Sequence, residues 1–156
     1  MLCTEIHDDV TLEDEFVEDT LDWFAQDRAG NVWYFGELAM NFEDGRLANL
    51  DGSWVAGQEG ASPGIVMKAN PQPGDFYRQE FLLQVAEDVA GVQSLTENVV
   101  VPFGTFPGCL QSEEFTPLEP GHTELKYYAR GVGQVLTINP DNGERTQLVA
   151  IVVGRH

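Results

Sequence analysis

The sequence predicts a mainly β protein, either an antiparallel β-barrel or a strongly curved sheet of hairpins, with at most one short helix. Turn-forming residues recur at short intervals, at residues 27–31, 43–46, 119–122 and 140–143. The segments between these turns are rich in Val, Thr, Trp, Tyr and Phe, which are the residue types that favour strands. Short strands joined by tight turns give hairpins, so the pattern favours antiparallel pairing.

The first predicted hairpin surrounds Gly30, with strands at residues 21–26 and 32–37. On its first strand Leu21, Trp23 and Ala25 alternate with Asp22, Phe24 and Gln26. On its second strand Val32, Tyr34 and Gly36 alternate with Trp33, Phe35 and Glu37. Neither face is purely polar, so we expect the hairpin to be covered on both sides or to form the wall of a partly polar interior. That interior is a candidate pocket.

Further strands are predicted at residues 98–103, 123–129 and 146–153, the last as a central or closing strand. Residues 57–75 are rich in Gly and Pro and predict a long loop around a short apolar run at residues 65–67. Residues 76–83 read as a strand, and apolar residues at helical spacing favour one or two helical turns within residues 81–92.

Length and charge limit the functions that fit. The 156 residues predict a single β domain, residues 1–156. Asp and Glu number 26 against 8 Lys and Arg, which gives a formal net charge of -18. This excess repels phosphate backbones, so nucleic acid is not an expected partner. It suits cations or cationic partners, although solubility is its commonest meaning.

Two cysteines, Cys3 and Cys109, allow one long-range disulfide or two free thiols. The chain has no apolar run long enough for a transmembrane helix. Its first residues lack a leader pattern, so for an exported protein we expect the leader to lie outside this chain. The three histidines, His7, His122 and His156, lack the paired spacing of transition-metal sites and argue against zinc.

Carboxylates and aromatic residues within strands form the candidate ligand site. An isolated charge in an apolar strand is unfavourable unless it is paired or solvated. Alternation places Arg78 beside Glu80 and Lys126 beside Glu124. The candidate ligand-binding residues are Asp22, Trp33, Glu37, Tyr77, Arg78, Glu80, Glu124, Lys126 and Tyr128. The alternative interpretation is an exposed ladder of ion pairs.

The same chemistry allows other ligands. Calcium is a candidate cofactor, since the loops at residues 43–45 and 139–144 supply carboxylate and amide oxygens, although turn chemistry explains both loops without a metal. The aromatic side chains of residues 23, 33–35 and 54 could stack on a sugar, as in a glycan ligand, or could form the core.

Three functional hypotheses follow. The first is a binding module with an aromatic and carboxylate-lined pocket for a small ligand or cation. The second is a hydrolase in which two carboxylates act as a general acid–base pair on a glycosidic or similar bond, with Glu80, Glu124 and Asp22 as the catalytic candidates. The third is a structural cell-surface domain. No serine-hydrolase elbow, phosphate-binding loop or zinc-protease helix motif is present in the sequence.

Four stretches of the sequence resemble an uncharacterised family of secreted or lipid-anchored acidic bacterial β-rich proteins. They are DWFAQD at residues 22–27, GNVWYFGE at 30–37, GDFYRQE at 74–80 and KYYARGVG at 126–133. The residue pair 87–88 and the run 117–121 also recur in that family, whose members usually carry further N-terminal strands. The resemblance implies export to a secreted, periplasmic or cell-surface location and a β architecture, and it supplies no catalytic residues.

Overall fold

The computed structural model describes residues 2–154 and consists of β-strands and connecting turns. His156, the third histidine of the sequence, lies outside these described residues. All strand pairs are antiparallel, which confirms the predicted β class. The strands are β1 Thr4–Leu12, β2 Glu15–Gln26, β3 Val32–Glu43, β4 Arg46–Asn49, β5 Trp54–Val55, β6 Ser62–Met67, β7 Phe76–Arg78, β8 Glu80–Phe81, β9 Val89–Val101, β10 Gly104–Phe115, β11 Glu124–Ala129, β12 Gly133–Ile138 and β13 Arg145–Gln147.

The strands form two sheets. In the first sheet the order is β1-β2-β3-β6-β8, and β4 and β5 also pair with β3, so that three strands share one edge of β3. In the second sheet the order is β13-β12-β11-β10-β9-β7. In neither sheet does the last strand pair with the first within the described residues, so no closed barrel is found.

The chain crosses between the two sheets several times in a short stretch. It passes from β6 in the first sheet to β7 in the second, returns to β8, and passes again to β9. Gly64 on β6 allows the close approach at this crossing, since a Cβ there would lie 2.3 Å from the Gln79 carbonyl oxygen. The crossing holds the two sheets beside each other.

Each sheet has a small apolar cluster. Trp54, Ala61, Leu82 and Ala86 form the cluster of the first sheet. The cluster of the second sheet consists of Val99, Val101, Cys109, Ala129, Val135 and Leu136. Both cysteine thiols are free, with Cys109 fully buried.

Three predictions about these elements are wrong. Residues 57–75 are not one long loop, since β6 lies within them and pairs with β3 and β8. No helix occurs in the described residues; after β8 the chain turns at Gln84, which has a φ of 62°, and an antiparallel bridge joins Leu82 to Ala86. The predicted strand at 146–153 is regular only as far as Gln147. Within the described residues no helix is long and apolar enough to span a membrane.

Candidate functional site

A β-bulge in the first hairpin brings Asp22, Tyr34 and Glu37 onto one face. Asp22 lies opposite Glu37 and Phe24 lies opposite Tyr34, so β3 has one residue more than β2 between these pairs. The extra residue changes the alternation, and Tyr34 and Glu37, three residues apart, point the same way. Simple alternation placed them on opposite faces, which was wrong.

Gly36 makes this bulge feasible. Its φ is +140°, and a Cβ at this position would lie 2.3 Å from the Trp54 carbonyl oxygen. Only glycine fits such a backbone conformation at so close an approach. The bulge and the β3–β5 pairing therefore depend on the same residue.

Aromatic rings pack around Tyr34, which binds Asp22. The hydroxyl of Tyr34 donates a hydrogen bond to Asp22 Oδ1. The Tyr34 ring stacks on Phe24 with centroids 4.8 Å apart and meets Trp54 edge-on at 5.3 Å. The Asp22 carboxyl group is half-buried beside Tyr34, and burial disfavours its ionised form.

Glu80 joins Asp22 and Glu37 from β8. Its side chain is buried, as is Trp54. The indole N–H of Trp54 favours the ionised form of Glu80, but it completes no hydrogen bond within the described residues. A buried N–H without a partner is uncommon in proteins and often marks a functional position.

Burial and mutual repulsion raise the pKa values of these groups. Burial raises the pKa of Asp22 to about 6, partly offset by the hydrogen bond from Tyr34. Burial and then Asp22 raise the pKa of Glu37 to about 7. Burial, followed by Asp88 and Glu37, raises the pKa of Glu80 to about 8. The pKa of Asp88, which precedes β9, is also raised by burial. We call Asp22, Glu37, Glu80 and Asp88 the carboxyl cluster.

The second sheet provides a lysine beside this cluster. Lys126 Nζ lies 3.2 Å from Glu114 Oε2 and 3.5 Å from Glu124 Oε2. Its charge opposes the rise in pKa of Asp22, Glu80 and Asp88. Burial lowers the pKa of Lys126, but the neighbouring carboxylates, Glu114 foremost, raise it further, so the ammonium stays charged.

Glu114 is the centre of a polar network on the same face of the second sheet. Ser112 Oγ donates to its Oε1 at 2.6 Å, and the Tyr128 hydroxyl donates to the same oxygen at 2.8 Å. Its Oε2 accepts no hydrogen bond of good geometry within the described residues, so the lysine contact is purely an ion pair. The network and the ion pair surround a carboxyl group whose side chain is only 3% exposed.

Two cavities open onto these groups. The first cavity has a volume of about 300 Å³ and is lined by apolar Trp23, Trp54, Leu38 and Leu82 and by polar Glu37, Glu59, Ser53 and Gln58. The second cavity, of about 200 Å³, is lined by Asp88, Glu114, Glu124, Thr116 and His122, among others. The carboxyl cluster reaches the first cavity through Glu37 and the second through Asp88.

The structure brings most of the predicted ligand-binding residues together. Asp22, Glu37 and Glu80 lie in the cluster, and Lys126, Glu124 and Tyr128 lie beside it. Tyr77 lies on the same face as Glu114, since both pair with Ala90 of β9. Burial, followed by the nearby charge of Glu114, raises the pKa of Tyr77 to about 12.

Two predicted site residues lie elsewhere. Trp33 is outside the cluster, where its indole N–H donates to Asp27 at 2.9 Å in the hairpin turn. Arg78 is exposed and stacks over Phe81, with its guanidinium 4.4 Å from the ring centroid. It does not pair with Glu80, because Arg78 belongs to the second sheet and Glu80 to the first. The predicted pairing of Arg78 with Glu80 is wrong, whereas the pairing of Lys126 with Glu124 is present.

Sequence reasoning missed Glu114, Ser112 and Asp88. Glu114 and Ser112 alternate on β10 with Glu113 and Gln111, which face the other side of the sheet. The only signal was the pairing of β10 with β11, which places Ser112 opposite Lys126. Register between distant strands is not readable from local pattern, so the network was not predicted.

The loops considered for calcium do not assemble a cluster of carboxylates. Residues 43–45 form the exposed turn between β3 and β4. In the loop at residues 139–144 the amide oxygens of Asn139 and Asn142 accept backbone N–H groups at 2.9 and 2.8 Å. Within the described residues, three potential ligands lie together only at His7, Asp9 and Asp19. His7 Nε2 is 2.5 Å from Asp19 and 3.3 Å from Asp9, on an exposed face of the β1–β2 pair.

The chain matches no protein-family model, no curated protein and no solved structure. The resemblance to secreted or lipid-anchored β-rich proteins therefore stays an expectation, and function has to be argued from the site.

Proposed function

We propose that the protein is an extracytoplasmic binding module that holds a small organic cation in the first cavity. One observation carries the proposal: Glu37 belongs to the carboxyl cluster, whose members are buried or half-buried, and also lines the cavity together with Trp23 and Trp54. We also propose that the two sheets curve around the carboxyl cluster. We propose further that the protein is exported, as the resemblance implies.

The chemistry of the cavity wall favours a positive ligand. Among the described residues that line it, none is Lys, Arg or His, whereas Glu37 and Glu59 both line it. A cation beside Glu37 offsets the repulsion between Glu37 and Asp22. Tryptophan faces attract organic cations through their ring quadrupole, by about 0.5–2 kcal/mol for each contact.

The indole nitrogen of Trp54 is buried and favours the ionised form of Glu80, so it sets no requirement on the ligand. The ligand class that fits the cavity wall is a small ammonium compound.

Calorimetric titration with choline tests the proposal, with 3,3-dimethylbutan-1-ol as its neutral isostere. We expect binding of choline and at least ~10-fold weaker binding of the neutral isostere. Choline must displace the proton of Glu37 at acidic pH, so the affinity should fall from about pH 8.5 to about pH 5.5. Glu37→Gln should abolish most of the affinity, and Glu43→Gln, at the exposed end of β3, should retain it.

Equal affinity for choline and its neutral isostere contradicts the proposal, as does full binding by Glu37→Gln. Calcium, a chelator and simple sugars complete the panel in a thermal-shift assay, because each is a ligand that the sequence allows. If calcium or a sugar raised the melting temperature and small ammonium compounds did not, that ligand would take the place of the organic cation in the proposal.

A hydrolase is the second candidate, favoured by the pKa of Glu37. A carboxyl group with a pKa of about 7 at the wall of a cavity is suited to act as a general acid. Of the three catalytic candidates from the sequence, Asp22 is hydrogen-bonded to Tyr34, Glu80 is buried beneath the cavity wall, and Glu124 lies at the second cavity. Glycosidase activity lost in Glu37→Gln and retained in Glu124→Gln would support the hydrolase over the binding module.

A further inference from the structure

Three potential metal ligands lie together on an exposed face of the β1–β2 pair. His7 and Asp9 are two residues apart on β1, so alternation places both side chains on one face of the strand. Asp19 of β2 lies directly opposite Asp9, and Leu21 lies opposite His7. One ligand atom from each of His7, Asp9 and Asp19 lies within 4.8 Å of the other two. The register of β1 and β2 therefore assembles this set.

The imidazole of His7 contacts both carboxylates through one nitrogen. Its Nε2 lies 2.5 Å from Asp19 Oδ1 and 3.3 Å from Asp9 Oδ1. Two ligand atoms of one tetrahedral or octahedral ion, each bound at about 2.0–2.2 Å, lie about 3–3.5 Å apart. The contact with Asp9 has this spacing, and a small rotation of the Asp19 carboxylate gives it at the second contact. A metal ion can thus take the place of the proton shared between Nε2 and Asp19.

The charges around this set favour a cation. Asp9 and Asp19 face each other across the strand pair, and like charges directly opposite each other destabilise a sheet. Glu5 lies on the same face of β1, and the whole chain has a formal net charge of -18. The side chains of His7 and Asp9 are 56% and 63% exposed, so water molecules can complete the coordination shell of an ion bound here.

The donor set selects the kind of ion. Calcium and magnesium prefer oxygen ligands, whereas an imidazole combined with carboxylates suits zinc and other first-row transition metals. We propose that His7, Asp9 and Asp19 bind one divalent first-row transition-metal ion through Nε2 and one oxygen of each carboxylate. The histidine spacing that argues against zinc compares positions along the chain, whereas this set is drawn from two paired strands. The proposal is independent of the ligand assigned to the first cavity.

Calorimetric titration of the untagged full chain with zinc tests this proposal. The titration uses a Cys3→Ser background, because the free thiol of Cys3 is a competing zinc ligand. We expect one zinc ion per chain at this site and at least ~10-fold weaker binding of calcium. His7→Gln and Asp19→Asn should each weaken zinc binding at least ~10-fold. Asp14→Asn is the matched control, since it removes an equal charge in the exposed turn between β1 and β2 and should leave the affinity unchanged.

NMR of the histidine rings gives the second readout. Zinc should shift the ring signals of His7 and leave those of His122, which lies beside the carboxylates of the second cavity, unchanged. Zinc binding that His7→Gln leaves intact, or that His122→Gln abolishes, would overturn the proposal, as would calcium bound as tightly as zinc. A parent chain that binds no zinc would overturn it as well, because the contact between His7 and Asp19 would then be an ion pair only.

Discussion

Glu114 and Glu124 both pair with Lys126, but their surroundings differ. Glu114 is 3% exposed and accepts hydrogen bonds from Ser112 and Tyr128, whereas Glu124 is 50% exposed. A buried ion pair that loses one partner leaves an uncompensated charge, whereas an exposed pair contributes little.

We therefore expect Glu114→Gln to lower the free energy of unfolding by about 2–4 kcal/mol. Glu124→Gln should lower it by less than about 1 kcal/mol. Urea denaturation of the two variants and the parent protein measures the difference. Equal losses would show that the network around Glu114 does not stabilise the fold.

Tyr34 and Tyr127 allow a similar comparison for the carboxyl cluster. Tyr34 donates to Asp22, while the hydroxyl of Tyr127 accepts a hydrogen bond from Gln111 at 2.8 Å. Tyr34→Phe should destabilise the protein by about 1–2 kcal/mol at about pH 8, where Asp22 is ionised, and by less at about pH 5, where it is protonated. Tyr127→Phe should give a loss that does not change between these pH values, since its partner is an uncharged amide. Denaturation of both variants at both pH values measures this; the same pH dependence in both would contradict the role assigned to Tyr34.

At the scale of the element, the bulge at Gly36 determines which side chains share a face. Gly36→Ala introduces a Cβ against the Trp54 carbonyl oxygen in a backbone conformation that L residues rarely adopt. We expect a loss of about 2–4 kcal/mol in the free energy of unfolding, together with a change in Trp54 fluorescence. Gly91→Ala is the control, because a Cβ at Gly91 meets its nearest neighbour, Phe76, at an ordinary 3.5 Å. A loss no larger than that of the control would mean that β3 accommodates a side chain at the bulge.

Local chemistry explains which elements the sequence could predict. The turns at residues 27–31, 43–46 and 140–143 were predictable because Gly, Asn and Asp shape a turn by themselves. The bounds of β1 have no local signature, because Thr4–Leu12 is polar and mostly exposed and owes its structure to pairing with β2. Pairing between distant segments has no local signature.

The same limit explains the errors within the site. Arg78 and Glu80 share a strand face by alternation, but the chain passes from one sheet to the other at Gln79. The helical spacing within residues 81–92 reflects a turn that packs Leu82 and Ala86 into the first-sheet cluster. Asp22 and Glu37 could be selected as candidates from the sequence, because a charged residue within an aromatic strand has to be paired or solvated.

At the scale of the whole molecule, the carboxyl cluster makes stability depend on pH. The folded pKa values of Asp22, Glu37 and Glu80 are about 6, 7 and 8, above their ordinary values of 3.8 and 4.5. The folded state therefore binds more protons than the unfolded state between these limits. The free energy of unfolding is therefore highest below about pH 4, where these carboxyl groups are protonated in both states, and it falls as the pH rises to about 8.

Thermal unfolding between about pH 5 and pH 8.5 should show a melting temperature that falls by several degrees. Glu80→Gln should raise the melting temperature at about pH 8.5 and flatten its pH dependence, because a neutral amide replaces a buried charge. Glu113→Gln, on the other face of β10, removes the same formal charge and should keep the slope of the parent protein. A melting temperature that rises over this range would contradict the buried cluster.

We propose that Glu37 has a raised pKa which a bound organic cation lowers. Carboxyl-carbon NMR titration of Glu37, in the free protein and with saturating choline, measures this pKa in both states. We expect a pKa of about 7 in the free protein and a clear fall when choline is bound. A pKa near the ordinary 4.5 in the free protein, or a raised pKa that choline leaves unchanged, would contradict it.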